Sequence, residues 1–286
     1  MPDPARPRTV VVTGSASGIG AATRRRLESR GDLVIGVDLH DADVVADLST
    51  PWGRTAAIDE VVERADGNLD GAVCAAGLGP ARGRELLIAA VNFSGVVELL
   101  DGWRTALASE GGAKVVVIGS NSTTTTPFIP RRAVSAFLDR DVTRAVSILA
   151  RPGRLAGPRV YAASKLAVTR WARASAVESA WVGAGIRLNV LAPGAVATPL
   201  LAEQLAGPDA ANVRRFPVPA GAPAEPDLLA QWVEFMLSPA ADFLVGSCLF
   251  VDGGSDAYLR GSAWPAPVPM RSLPAYLRRM FSPAVR

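Results

Sequence analysis

The segment 160–171, VYAASKLAVTRW, sets a phenol and an ammonium four residues apart, at Tyr161 and Lys165. Only two of the 30 basic residues are lysines, Lys114 and Lys165, and tyrosine occurs three times, so neither type stands there by default. On a helix, positions i and i+4 lie on one face and reach a common ligand. A phenol of ordinary pKa, about 10, is a poor base at neutral pH, and a neighbouring cation favours its ionised form. A compact ammonium with three donors also suits a pair of hydroxyls better than the rigid fork of an arginine. The chemistry indicated is proton transfer at an alcohol or carbonyl oxygen. Ser120, in VVVIGSNS, offers a hydroxyl that can donate to the same oxygen as negative charge develops there. Ser122 competes for that role.

These side chains need elements to carry them. Short Val/Ile/Leu runs alternate with helical patterns along the chain, which predicts β-α-β units and a parallel sheet covered on both faces. Strands are expected near 9–13, 33–37, 43–46, 70–74, 113–118, 186–191 and 247–251, and helices near 18–30, 51–65, 83–108, 160–182 and 226–238. One doubly wound domain therefore fills residues 1–255, with Ser120 at a strand end and Tyr161 and Lys165 on a helix. Two segments fall outside the repeat. An insertion at about 121–159 carries helical periodicity in RRAVSAFLDRDVTRAVSILA, and following a strand end it should hang over the site edge of the sheet. A Pro- and Arg-rich extension occupies 256–286.

The run VVVTGSASGIGAATRRRL places a buried strand before Gly14, Gly18 and Gly20, and then a helix. Glycines there let the backbone turn and approach a pyrophosphate, which the free N–H groups and dipole of the helix attract. Asp38 follows at the end of the second strand, where a carboxylate accepts bonds from ribose hydroxyls and repels a 2′-phosphate. No basic residue stands at Ser15, Ala16 or Ser17 to offset that repulsion, so NAD is expected over NADP. Ala75, Ala76 and Gly77, in VCAAGLG, keep a strand end small beside such a ligand.

The spacing T-G-x-x-x-G-x-G, the strand ending in Ser120, and Y-x-x-x-K together resemble the short-chain dehydrogenase/reductase family over residues 9–255. GIGAATR, DADVVADLST, APGAVATPLL and VDGG resemble its bacterial 3α-hydroxysteroid dehydrogenase/carbonyl reductase branch, with coniferyl-type aromatic alcohol dehydrogenases similar in the same places. The resemblance implies a seven-stranded Rossmann domain and Asn92, Ser120, Tyr161 and Lys165 as catalytic residues. It implies that Ser17, Ile19, Leu39, Asp47, Leu48, Pro193, Gly194, Val196 and Thr198 join the residues already named, Tyr161 and Lys165 included, in holding the cofactor. Asn92 would break its helix locally and place a water for proton relay. The expected activity is NAD-dependent interconversion of a secondary alcohol and a ketone on a hydrophobic ring, steroid-like or natural-product-like. Val196, Leu200, Leu201, Leu205, Phe216, Phe128 and Phe137 are expected to wall the pocket. A homo-oligomer, dimer or tetramer, is implied as well. The rivals are an epimerase or dehydratase using the same constellation, and a non-catalytic NAD-binding regulator.

Other classes are disfavoured. The formal charge is +3, but arginines and acids are interspersed, so no nucleic-acid partner is expected. Cys74 and Cys248 lie in apolar runs away from His40 and read as inert thiols rather than metal ligands. No uninterrupted apolar run nears the roughly 18 residues that cross a bilayer, and MPDPARPRTVVVTG lacks an apolar signal region. A cytoplasmic protein without a membrane partner is expected.

Overall fold

The computed structural model describes residues 6–149, 156–264 and 266–281. Residues 150–155 of the insertion and the last five of the extension therefore lie outside the described residues. Seven strands form one parallel sheet: β1 (Thr9–Thr13), β2 (Leu33–Asp38), β3 (Val44–Val45), β4 (Gly71–Cys74), β5 (Lys114–Ile118), β6 (Arg187–Pro193) and β7 (Cys248–Val251). Their order is β3-β2-β1-β4-β5-β6-β7, so the winding reverses between β1 and β4 and opens a crevice at the carboxyl ends there. The helices are α1 (Gly18–Ser29), α2 (Pro51–Arg64), α3 (Glu85–Ala89), α4 (Gly95–Ala108), α5 (Ser122–Thr125), α6 (Arg131–Leu138), α7 (Val142–Leu149), α8 (Ala156–Ser175), α9 (Pro199–Ala206), α10 (Ala210–Arg215), α11 (Pro226–Leu237), α12 (Ser255–Arg260) and α13 (Leu273–Phe281).

The strands read as continuous apolar runs because both faces are buried. Alternate residues serve different cores. Val11, Ala72, Val115 and Val117 join Val61 of α2, Trp103 of α4 and Ala167 of α8. Val10, Val12, Val73 and Val116 face the other way, onto Leu27 of α1 and Leu229 and Val233 of α11. Residues 85–108 run through α3, a π-helical turn at Ala90–Ser94, and α4. This stretch is long and apolar enough to cross a membrane, yet most of it is buried inside the protein.

Three expectations are corrected. α8 is described from Ala156, ahead of the expected 160, and it ends at Ser175 instead of 182, where the chain turns so that Trp181 packs edge-on against Trp171 at 5.7 Å. Two helices stand where none was expected: Thr198 caps α9 by accepting from the Leu201 amide, and α10 follows. Finally, α6 and α7 do not overhang the sheet edge. They pack on one another, on α8 and on α3, with Val134, Phe137, Ala145 and Leu149 buried in the main core.

Candidate active site

The glycine loop joins β1 to α1 under tight steric constraint. Gly14 has φ +70°, and a Cβ on it would lie 2.7 Å from the Ala76 amide nitrogen. A Cβ on Gly20 would fall 2.0 Å from the Gly14 carbonyl oxygen, so α1 can approach the loop only because that position is bare. Gly18 also has positive φ, at +53°, and backs onto Thr198. Ser17, exposed, precedes α1, and no side chain caps the first turn at Gly18, Ile19 and Gly20, which leaves that turn's donors to a ligand. Asp38 holds the loop from below. Its carboxylate accepts from the Ala16 amide at 2.9 Å and the Leu39 amide at 2.7 Å.

Around this cradle, Thr13 is buried and its hydroxyl accepts from the Ala76 amide at 3.1 Å, tying β1 to the small segment Ala75, Ala76 and Gly77. Leu39 is exposed, whereas Leu48 is buried in the main core. The Asp47 carboxylate is turned into its own turn, accepting from the Ser49 amide at 2.9 Å. Hydrogen bonds from Ser49 hold its pKa below the ordinary carboxylate value. These residues fit a dinucleotide: an open helix start beside backbone that tolerates no side chain, with a carboxylate at the next strand end.

Beside the cradle stand the proton-transfer candidates. Ser120 follows β5, Tyr161 and Lys165 lie one turn apart on α8, and the Ser120 hydroxyl is near enough to the Tyr161 phenol to lower its pKa. The Ser120 hydroxyl also accepts from the Ser122 amide at 3.1 Å, while the Ser122 hydroxyl is buried without a hydrogen-bond partner among the described residues. Lys165 is 5% exposed and donates to the Ile118 carbonyl at 2.8 Å. Burial brings its pKa down to about 8, against a small opposing pull from Cys74. The phenol behaves otherwise than expected: burial raises the Tyr161 pKa, and the Ser120 hydroxyl offsets only part of that. One of the three donors of the ammonium is engaged by the Ile118 carbonyl.

Asn92 sits within the π-helical turn and is fully buried. Its amide is committed in both directions to Leu78, accepting from that residue's N–H at 2.8 Å and donating to its carbonyl at 3.0 Å. A Cβ on Gly77 would come 3.2 Å from the Asn92 Oδ1 and 3.4 Å from the Lys165 Nζ, so the bare backbone there is what lets the three meet. Pro193 ends β6, and a Cβ on Gly194 would meet the Asp252 Cα at 2.8 Å. Val196 is buried and bridges to Ala224.

The apolar wall is corrected at two positions. Phe137 is fully buried, its ring 5.2 Å from that of Phe93, and belongs to the core. Phe128 is 89% exposed and lines a separate cleft of about 180 Å³ with Arg132 and Arg159. Leu200 and Gln204 of α9 instead lie over the backbone of Gly79. Reading the sequence also missed Thr13, Asn121, Asp252 and Asp256; VDGGSD after the last strand was the available signal for the last two. Burial pushes the Cys74 thiol up to about 12 and the Cys248 thiol up to about 11. No metal-ligand cluster occurs among the described residues.

Comparison with known proteins follows the same lines. A family profile described as enoyl-(acyl carrier protein) reductase matches residues 142–256. A 3-alpha-hydroxysteroid dehydrogenase/carbonyl reductase of Comamonas testosteroni is 39% identical over 88% of this chain and 97% of its own length. A coniferyl-alcohol dehydrogenase of Pseudomonas sp. strain HR199 is 30% identical over 86% and 96%. The crystal structure of a 3-alpha-hydroxysteroid dehydrogenase from Pseudomonas sp. B-0831 complexed with NADH superposes with a TM-score of 0.82 at 44% identity, covering 90% of this chain and 100% of that one.

Proposed function

Because the chain belongs to the short-chain dehydrogenase/reductase family and is an oxidoreductase of alcohol and ketone groups, we propose that it interconverts a secondary alcohol and a ketone on a hydrophobic ring substrate, with NAD(H) preferred. The observation carrying this reading is the gathering of Ser120, Tyr161, Lys165 and Asn92 about the end of β5 and the bare backbone of Gly77, with an uncapped glycine cradle against the adjoining Ala76. When bound, the nicotinamide supplies or accepts the hydride and, oxidised, a positive charge. Tyr161 takes the alcohol proton in one direction and returns it to the ketone oxygen in the other. Ser120 donates to that oxygen as it becomes negative. Lys165 supplies a nearby cation and donors for ribose hydroxyls. With the Asn92 amide engaged by Leu78, that residue's share in a proton relay falls to its backbone.

Two features support NAD(H) over NADP(H). Asp38 is held at the end of β2 by the amides of Ala16 and Leu39. Arg24, whose guanidinium lies against β2 at Gly36, is engaged by Glu28 and Asp43 rather than available to a 2′-phosphate. Leu200 of α9 over Gly79, and the relatives named above, favour a ring ketone over a sugar. A homo-oligomer is part of this reading, with α6 and α7 already covering the outer side of α3 and α8.

The test is a screen of steroid, terpenoid and aromatic ketones with NADH and NADPH side by side. Turnover with NADH is expected, and Tyr161→Phe should lower it by roughly a hundred- to ten-thousandfold. Unchanged turnover in that variant would overturn the mechanism; preference for NADPH would overturn the cofactor assignment.

A further inference from the structure

Ser120 lies beyond the end of β5, so something other than strand pairing must fix its direction. The Gly119 amide donates to the Leu191 carbonyl at 2.7 Å and the Asn121 amide to the Pro193 carbonyl at 2.9 Å, which pins the chain on either side of the serine. The Asn121 carbonyl then gathers the loop, accepting from the hydroxyls of Thr124 and Thr125, each at 3.0 Å. Its side chain reaches across to Asp252, with Nδ2 donating to Oδ2 at 3.4 Å.

Asp252 is unusual company for a neutral loop. It is 8% exposed, has no ion pair among the described residues, and is satisfied by the amides of Gly254 at 3.0 Å and Asp256 at 2.7 Å besides Asn121. A buried carboxylate without a counter-ion is costly and needs its full set of donors. Its backbone is packed against Gly194, whose amide donates to the Val251 carbonyl at 3.2 Å. One residue thus touches both the serine loop and the turn after β6. A second carboxylate stands nearby: Asp256 receives a two-pronged bond from Arg260 at 2.7 and 3.0 Å.

We propose that Asp252 is a positioning residue, which through Asn121 holds the serine loop to the end of β7 and so sets the direction of the Ser120 hydroxyl. The proposal rests on the function given above. Asp252→Asn keeps the shape but turns an N–H towards a backbone amide. It should lower kcat for ketone reduction about tenfold, a fraction of the roughly hundred- to thousandfold that losing an oxyanion donor costs. The dissociation constant for NADH, read by fluorescence, should stay within about twofold. In a Ser120→Ala background the same substitution should change kcat by less than about twofold, because residues acting through one another are not additive. Should Asp252→Asn fail to fold, Asn121→Ala removes only the side-chain link and is read against Ser120→Ala in the same way. Equal losses in both backgrounds, or an unchanged kcat, would overturn the proposal alone. Absence of turnover in the unmutated enzyme would overturn the functional reading, and the proposal with it.

Discussion

Residues 13–20 and residues 195–216 meet where Gly18 backs onto Thr198, yet they are held in different ways. In the first, main-chain amides of Gly14 and Ala16 are bound to the end of β2, and added Cβ atoms on Gly14 or Gly20 would strike backbone. In the second, α9 and α10 bury no residue fully, and Phe216 is 37% exposed. The contrast teaches which half can vary. A cradle made of backbone tolerates no added volume, whereas a wall of half-buried side chains can be reshaped without disturbing the sheet.

Substitutions on the two sides should therefore separate. Gly14→Ala adds a Cβ against the Ala76 amide at positive φ. Strain of roughly 1–3 kcal/mol should appear as about a ten- to hundredfold weaker NADH dissociation constant. Leu200→Ala on α9 should instead raise KM for a ketone by roughly three- to tenfold while NADH binding stays within about twofold. Equal effects on both ligands would break the contrast.

Lys165 sharpens it through pH. Burial lowers its pKa from 10.5 to about 8, so between those values the unfolded chain binds more protons than the folded one and stability rises with pH. Below about 8 both states are protonated and the penalty is complete. The stability gained by Lys165→Met over the unmutated protein should hold steady below pH 8 and shrink above it, as denaturant titrations at several pH values would show. The smallest effect belongs to the insertion. Phe128, exposed with φ +58°, is strained in a region that glycine enters freely, so Phe128→Gly should raise stability by up to about 1 kcal/mol without altering turnover.

The sheet was legible because central parallel strands are unbroken apolar runs: TVVVT and KVVVI have no other comfortable home. The small residues about the cradle were legible for the complementary reason, that only backbone fits there. α9 was not. PLLAEQLA lays its apolar residues across a cleft instead of into a core, so no buried stripe marks it. Phe137 misled in the opposite sense: an aromatic in an insertion suggests a pocket, but Phe93 had a gap to fill. The Tyr161 pKa rises because burial outweighs the pull of Ser120, and how deeply the phenol is buried is decided by elements distant from it in the chain. Spacing within one helix carries no trace of it.

The wide turn at Ala90–Ser94 has a consequence for anyone editing the chain. Each helical residue advances the rod by about 100°. The wide turn spends one residue more than usual without adding that rotation, so the segments before and after it keep the relative phase of an uninterrupted α-helix. Deleting Val91 would therefore leave Ile88 and Trp103 facing the interior while pulling Asn92 off Leu78, and the change would be felt at the cut, not along the rod.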